Sequence, residues 1–291
     1  MTPRLGCVLL TAGRRPAELA LALRSLLDQE DVGLEVVVVG NGWVPEGLPP
    51  GVRSHHEPVD RGIPAGRNAG VAHAQGELLF FLDDDARLAA PGALAAVAAE
   101  FARDPLLGLL QLRVDASDGR PPLREWVPRL GSGDRTRSGE VTAVWEGAVA
   151  MRRAVFEEVG GWPEDFRFVH EGVDLAWRVM DAGHRVRYCG DIVVLHPTPD
   201  PADPPARHGY SHYYGARNRT WLARRYLPRP LGALFVATFA LRTLPRFRSR
   251  ADLQSALRGY RDGARGPAGP RRRLRARTIW RMTAAGRPPV I

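Results

Sequence analysis

Three consecutive carboxylates, Asp83-Asp84-Asp85, directly follow the fully apolar run Leu78-Leu79-Phe80-Phe81-Leu82. Adjacent carboxylates repel, and holding them partly desolvated at the end of a buried strand carries a cost that a divalent cation offsets. Their oxygens suit Mg2+ or Mn2+, with the oxygens of a diphosphate filling the remaining positions. The competing reading is a solvated acidic turn that caps the next helix. Just upstream lies Gly62-Ile63-Pro64-Ala65-Gly66-Arg67-Asn68-Ala69-Gly70. Its glycines permit tight turns beside a ligand, and Arg67 offers a guanidinium fork to phosphate or to Asp83. Downstream, His170-Glu171-Gly172-Val173-Asp174 sets two carboxylates at the start of a helical pattern. Acids in a first helical turn favour the helix dipole, and one of them placed in a crevice is also a candidate general base.

These residues need a scaffold, and the first half of the chain supplies one. Cys7-Val8-Leu9-Leu10, Glu35 to Val39 and Leu78 to Leu82 read as buried strands. Between and after them Pro16 to Gln29, Ala65 to Ala74 and Ala93 to Ala102 carry helical patterns, the first with Leu19, Leu23, Leu26 and Leu27 on one face. The alternation β-α-β-α-β implies a parallel sheet flanked by helices, with ligands at the carboxyl ends of the strands. Thr11 to Arg14, Gly40 to Gly42 and Asp83 to Asp85 all lie at such ends, so three loops are expected to converge on one crevice. Further on, Asp115 to Thr142 reads as irregular and Ala143 to Met151 as an apolar stretch. Ala154 to Val159 and Asp174 to Ala182 read as helices closed by Gly160-Gly161 and Gly183. Val186 to Tyr188 and Ile192 to Leu195 read as short strands, and Pro197 to Pro205, with five prolines, as a linker.

Charge is unevenly spread. The chain carries +9 overall, yet from Ala206 to the end there are 20 arginines against two acids, Asp252 and Asp262. An acidic body therefore bears a basic tail. The sequence contains no lysine, which excludes a Schiff-base or P-loop lysine. Two cysteines, Cys7 and Cys189, are too few for a disulfide framework and point to a reduced, cytoplasmic protein. Val8-Leu9-Leu10 is too short for a signal sequence, and Leu231 to Leu241 is shorter than the ~20 residues a spanning helix needs.

Taken in order, the apolar first strand, the Asn41-Gly42 turn, the Gly62 to Gly70 helix and Phe81-Leu82-Asp83-Asp84-Asp85 resemble family 2 glycosyltransferases of the GT-A fold. Gly147 to Arg153 and Glu171 to Arg178 continue the pattern, and the resemblance runs from about Leu5 to Pro197. Trp280-Arg281-Met282 and Gly286 to Ile291 are similar to an actinobacterial subgroup. The resemblance implies an α/β fold, Rossmann-like, with a mostly parallel central sheet. Residues 1–205 would form the catalytic domain and 206–291 a mainly helical, arginine-rich extension. It further implies inverting transfer from a nucleoside-diphosphate sugar to an acceptor hydroxyl, dependent on Mn2+ or Mg2+. Asp83 and Asp85 would be the outer members of a D-x-D metal motif, with His196 completing the site. Thr11, Ala12, Gly13, Arg14, Gly40, Asn41, Arg67, Asp83 and Asp84 would hold the donor nucleotide. Trp145, Glu146 and Gly147 would lie near the sugar or acceptor, Trp145 offering a stacking face. Glu171 would be the base, with Asp174 as the fallback. Two positions depart from the pattern: Gly40, where many relatives carry a base-reading Asp, and Gly172, where relatives often carry the catalytic Asp. UDP is therefore favoured over GDP and dTDP only by habit of the family.

Two other functions fit parts of the sequence. A sugar nucleotidyltransferase uses a similar sheet, but Thr11-Ala12-Gly13-Arg14-Arg15 is a thin version of its triphosphate loop. A nucleic-acid-binding role would rest on the basic tail alone, which lacks a readout motif, so no nucleic-acid partner is expected. The apolar run from Leu231 with its arginine flanks suits either a brace against the body or a helix lying at an anionic membrane surface. Arg271 to Arg281 favour the membrane, which would make the protein peripheral on the inner face. Self-association and the acceptor are left open.

Overall fold

The computed structural model describes residues 4–128, 134–198 and 205–289. Strand β1 (Arg4–Thr11) is followed by α1 (Pro16–Leu27), β2 (Gly33–Asn41), β3 (Arg53–Glu57), α2 (Ile63–His73), β4 (Leu78–Asp83), β5 (Arg87–Leu88) and α3 (Ala93–Arg103). Then come β6 (Leu107–Ala116), β7 (Gly139–Glu140), β8 (Ala148–Arg152), α4 (Arg153–Val159), α5 (Glu171–Ala182) and β9 (Arg185–His196). Four helices close the chain: α6 (Pro205–Tyr226), α7 (Arg229–Thr243), α8 (Arg250–Arg265) and α9 (Ala276–Ala284).

The strands form one sheet in the order β3-β2-β1-β4-β8-β6-β9-β5, with β7 added beside β9. β3, β2, β1 and β4 run parallel, as the alternating pattern requires. β8 then inserts antiparallel between β4 and β6, while β6 and β9 are parallel to each other. The carboxyl ends of β1, β2, β4 and β9 thus share one edge with the start of β8. Register sets this edge directly: Thr11 lies opposite Gly40, and Leu10 opposite Asp83. The expected crevice is therefore present, bordered by one antiparallel strand that supplies Gly147: the Asp83 amide donates to the Gly147 carbonyl at 3.0 Å.

Several elements differ from expectation. β3, Arg-Ser-His-His-Glu, is a polar edge strand with no apolar run to announce it. β6 was not anticipated either, although its residues Leu107 to Leu112 are buried, because a continuous apolar run lacks alternation. The two short strands at Val186 and Ile192 are one strand, β9, bent by a register shift opposite Leu112 and Arg113. The turn glycines behave as read: Gly160 and Gly183 close α4 and α5 in the left-handed conformation. Most of the proline-rich linker, residues 199–204, lies outside the described residues.

The tail does not stand apart. Trp221, Leu222, Leu227, Phe235, Leu274 and Met282 share one hydrophobic cluster with Phe166, Trp177, Val179 and Met180 of the body. Several of its arginines meet the body's acids: Arg225 pairs with Asp165, and Arg281 lies 3.0 Å from Glu140. Arg271 to Arg281, expected to face a membrane, is tied to the body by the Arg275 amide and Thr278 hydroxyl on Asp181. Trp280 on the same segment stays exposed.

Candidate active site

Asp83, Asp85 and His196 form the centre. One oxygen of each acid and a ring nitrogen of His196 all lie within 4.8 Å of one another. His196 Nε2 is 3.1 Å from Asp85 Oδ1 and 3.8 Å from Asp83 Oδ2. Its other nitrogen, Nδ1, sits 2.6 Å from the Pro197 carbonyl, which fixes the ring and leaves Nε2 toward the acids. Two carboxylates and one imidazole, partly buried at a crevice, are donors that fit Mn2+ or Mg2+. Arg67 is buried and donates to Asp83 Oδ1 at 2.8 Å, with its guanidinium over the Trp162 ring. Burial opposes ionisation of Asp83, but His196 and Arg67 outweigh it and hold the carboxyl down to about 2. Asp84 faces the other way, accepting from the Thr11 hydroxyl at 2.6 Å. Burial pushes its pKa above the usual carboxylate range, against that hydrogen bond.

The first loop contributes more through Arg15 than through Arg14. Arg15, exposed like Arg14 and Ala12, pairs with Asp84 at 2.9 Å and with Asp85. Gly13 has φ 70°, and a Cβ there would overlap the Trp43 ring. Trp43 therefore lies flat against this turn, half-buried, as a residue the sequence reading missed. At Gly40 a Cβ would lie 2.7 Å from Pro45 Cδ and overlap the Trp43 carbonyl, so no side chain fits there. Asn41 is held by Asp60, its Nδ2 donating at 2.9 Å, and its Oδ1 accepts from the Arg61 amide at 3.0 Å.

Two carboxylates stand on the other flank. Glu146 Oε1 accepts from the Gly172 amide at 2.6 Å. A Cβ on residue 172 would sit 2.6 Å from that same oxygen. The Val144 carbonyl, 2.4 Å from that Cβ position, and Glu146 thus fill the space a side chain at 172 would need. Glu171 is buried with Oε2 lacking any hydrogen-bond partner. Burial, then the Glu146 charge, push its pKa up to about 8. Burial raises the Glu146 pKa as well. Asp174 is placed differently: it accepts from Arg178 Nε at 2.7 Å and Tyr226 OH at 2.6 Å, with Arg225 at 3.6 Å. Its oxygens belong to an ion-pair network joining α5 to α6 rather than to the crevice.

Trp145 links the flanks. Its ring meets His196 edge-on at 5.2 Å, and its amide donates at 2.7 Å to the fully buried Gln111. Gly147 allows this, since a Cβ there would lie 2.5 Å from Asp83 Oδ2 and overlap the Trp145 ring. Behind Glu171, residues Arg167, Val169 and His170 all have positive φ, near 60–70°. Such a run, with a β-branched residue in it, is strained and is held from outside. Asn218 of α6 does so, its Nδ2 donating to the carbonyls of Phe166, Phe168 and Val169 at 3.0, 2.8 and 2.7 Å. A lone asparagine in an arginine-rich helix gave no such signal in sequence.

A cavity of about 680 Å³ opens beside Trp145, Glu146, His170 and Glu171, and is closed by α6, α7 and α8.

Comparison with known proteins agrees with this geometry. Residues 7–160 match the model of glycosyl transferase family 2. The pre-mycofactocin glycosyltransferase of Mycobacterium tuberculosis is 31% identical over 181 residues, covering 56% of this chain and 37% of that protein. The chain thus aligns with little more than a third of that curated relative. Among solved structures, the mannosyltransferase PcManGT from Pyrobaculum calidifontis, in complex with GDP-Man and Mn2+, superposes with TM-score 0.57 at 19% identity. It covers 98% of this chain and 74% of its own. Staphylococcus aureus TarS in complex with UDP-GlcNAc gives 0.60 at 15% identity, covering 96% and 83%. With the family model spanning more than half its length and the GT-A architecture throughout, this chain belongs to glycosyl transferase family 2.

Proposed function

We propose that the chain moves a sugar from a nucleoside-diphosphate sugar to an acceptor hydroxyl, with inversion at the anomeric carbon and with Mn2+ or Mg2+ bound. The observation that carries this is one crevice holding an Asp83–Asp85–His196 donor set, a buried Arg67, and a buried and a half-buried carboxylate, Glu171 and Glu146, both of raised pKa. That similar structures were solved with GDP-Man and Mn2+ or with UDP-GlcNAc supports the reading.

Asp83, Asp85 and His196 would hold the cation, which when bound supplies positive charge to the diphosphate. Arg67 stands beside the same charge and, buried, is worth more there than in water. Thr11, Ala12, Gly13, Arg14, Gly40, Asn41 and Asp84 form the nucleotide wall, with Trp43 offering a face to the base. No carboxylate can come from position 40, so base choice among UDP, GDP and dTDP rests on other groups in this loop. Glu171 takes the acceptor proton. The acceptor oxygen bonds to the anomeric carbon from the face opposite the diphosphate, the bond from that carbon to the diphosphate oxygen breaks, and the nucleoside diphosphate leaves. Glu146 holds the Gly172 amide and keeps Glu171 basic by its charge. Trp145 offers a face to the sugar.

Incubation with a panel of nucleotide-sugars, with release of nucleoside diphosphate measured, tests the reading. Slow hydrolysis or transfer of one donor yields the diphosphate. Formation of pyrophosphate, or no release from any donor, would contradict it, the former in favour of a nucleotidyltransferase.

A further inference from the structure

The cavity beside Glu171 has an unusual charge. Some of the tail's arginines meet acids of the body, Arg225 at Asp165, Arg275 at Asp181 and Arg281 at Glu140. Those around the cavity do not. Arg246 and Arg287 line it, and Arg219 and Arg242 stand close to Arg287. Among the described residues none of these four pairs with a carboxylate. Arg219 is buried, its Nε donating to the Phe235 carbonyl at 3.1 Å and its guanidinium lying 3.2 Å from the centre of the Phe235 ring. Among the described residues Arg287 hydrogen-bonds only the Pro128 carbonyl, at 3.5 Å.

The field of this cluster is felt by its neighbours. Burial, then the charges of Arg287 and Arg242, lower the pKa of Arg219. Burial, then Arg124 and Arg242, lower that of Arg287. His170, whose Nε2 is buried without a hydrogen-bond partner on the cavity wall, is pushed down to about 3 by burial and then by Arg219 and Arg287. It is therefore neutral at neutral pH. The acids facing the cavity are Glu125, which is exposed, and Glu146 and Glu171, neither of which forms an ion pair with these arginines among the described residues. Gathering guanidinium groups around a partly enclosed space without paired counter-charge costs stability, and an anion entering that space offsets the cost.

We propose that this cavity is the acceptor site and that the acceptor carries a carboxylate or phosphate near its nucleophilic hydroxyl, held by Arg287 and Arg246. The inference rests on the glycosyltransferase reading, because Glu171 on the cavity wall is what makes it an acceptor site. Arg287 and Arg246 then orient the acceptor. The donor diphosphate is handled separately, on the Asp83–Arg67 side of Trp145.

Calorimetric titration of glucose 6-phosphate, glucuronate and glucose, each in the presence of UDP and Mn2+, tests this. The probes differ in charge but share a sugar ring. At least one anionic sugar is expected to bind about tenfold or more tightly than glucose, the size of one or two charge-assisted hydrogen bonds. The preference should vanish in Arg287→Gln/Arg246→Gln and weaken in Arg246→Gln alone, an exposed position that folding does not depend on. Phosphatidylglycerol vesicles form a second arm: binding lost in the same double variant assigns the anion to a lipid headgroup rather than a soluble ester. Equal binding of all three sugars without vesicle binding that depends on Arg287 and Arg246, no binding of any probe, or a preference that survives in the double variant would overturn the inference. Failure of the glycosyltransferase reading would show separately, as absence of Mn2+-dependent nucleotide binding in the unaltered chain.

Discussion

Glu171 is asked to carry charge in a place that resists it, and that tension makes it testable. Its pKa near 8 sits where a general base is most effective, since the carboxylate is still formed yet binds a proton firmly. The kcat profile is expected to rise with pH and level off above about 8, the inflection belonging to the coupled Glu146–Glu171 pair. Because the folded pKa lies above the ordinary 4.5, the folded state keeps a proton that the unfolded state releases between those values. The group therefore costs stability increasingly as pH rises through that window. Glu171→Gln should lose ~10²–10⁴-fold in kcat, keep its nucleotide affinity, and melt no lower than the parent at pH 8. Asp174→Asn should do the reverse. It breaks a buried network with Arg178, Arg225 and Tyr226, costing about 3–5 kcal/mol of stability, and should leave kcat of the folded fraction near normal. Collapse of kcat in Asp174→Asn with Glu171→Gln active would move the base to Asp174. At this scale Asp83, Asp85, Arg67 and His196 were legible because each sits in or beside a compact motif at a strand or helix end. The Glu146–Gly172 contact was not, because it joins residues distant in sequence and depends on the absence of a side chain.

The element that positions Glu171 is the strained turn before α5, and its support comes from α6. Asn218 is fully buried and satisfies three carbonyls of that turn, so Asn218→Ala should cost roughly 1–3 kcal/mol from unpaired groups and let the turn relax. Its kcat should fall while Mn2+-dependent nucleotide binding persists, because Asp83, Asp85 and His196 lie on β4, the turn after it and β9. A parallel loss of nucleotide binding would mean that the turn supports the whole crevice and not the base alone. The same scale explains what the patterns could and could not give. In the first half β1, β2 and β4 were readable because each is a short apolar run set among helical patterns. β3 was hidden by polar edge residues. β6 and the bend in β9 were hidden because their pairing is set by neighbours distant in sequence, and Gln111 on β6 is polar yet fully buried to hold Trp145.

For the molecule as a whole, the arginine-rich tail is part of the enzyme's core and roof. Trp221, Leu222, Phe235 and Met282 pack in one cluster with Trp177 and Met180, so a chain ending before α6 is expected to lose its cooperative thermal transition. A sharp transition in that truncation would show that the catalytic domain folds without the tail. Composition revealed the charge asymmetry but not its use, since arginines docked on acids and arginines around a cavity look the same in sequence. Among the described residues no helix is long and apolar enough to cross a membrane. Leu241, Leu244 and Trp280 are exposed, as are Arg248, Arg250, Arg273 and Arg277, which suits contact with an anionic surface at ~1 kcal/mol per engaged arginine. Co-sedimentation with anionic vesicles that weakens with salt is the expected result, and binding indifferent to lipid charge would reject it. All of these readings depend on the crevice at the carboxyl ends of the strands being a cation–diphosphate site. Calorimetry of UDP, GDP and dTDP with and without Mn2+, on the unaltered chain and on Asp85→Ala, tests that most directly. The account predicts that one nucleotide binds at least tenfold more tightly with Mn2+, and that Asp85→Ala abolishes the enhancement, in line with the loss of a charged metal ligand. Nucleotide binding that ignores Mn2+, or an enhancement that survives in Asp85→Ala, would contradict it.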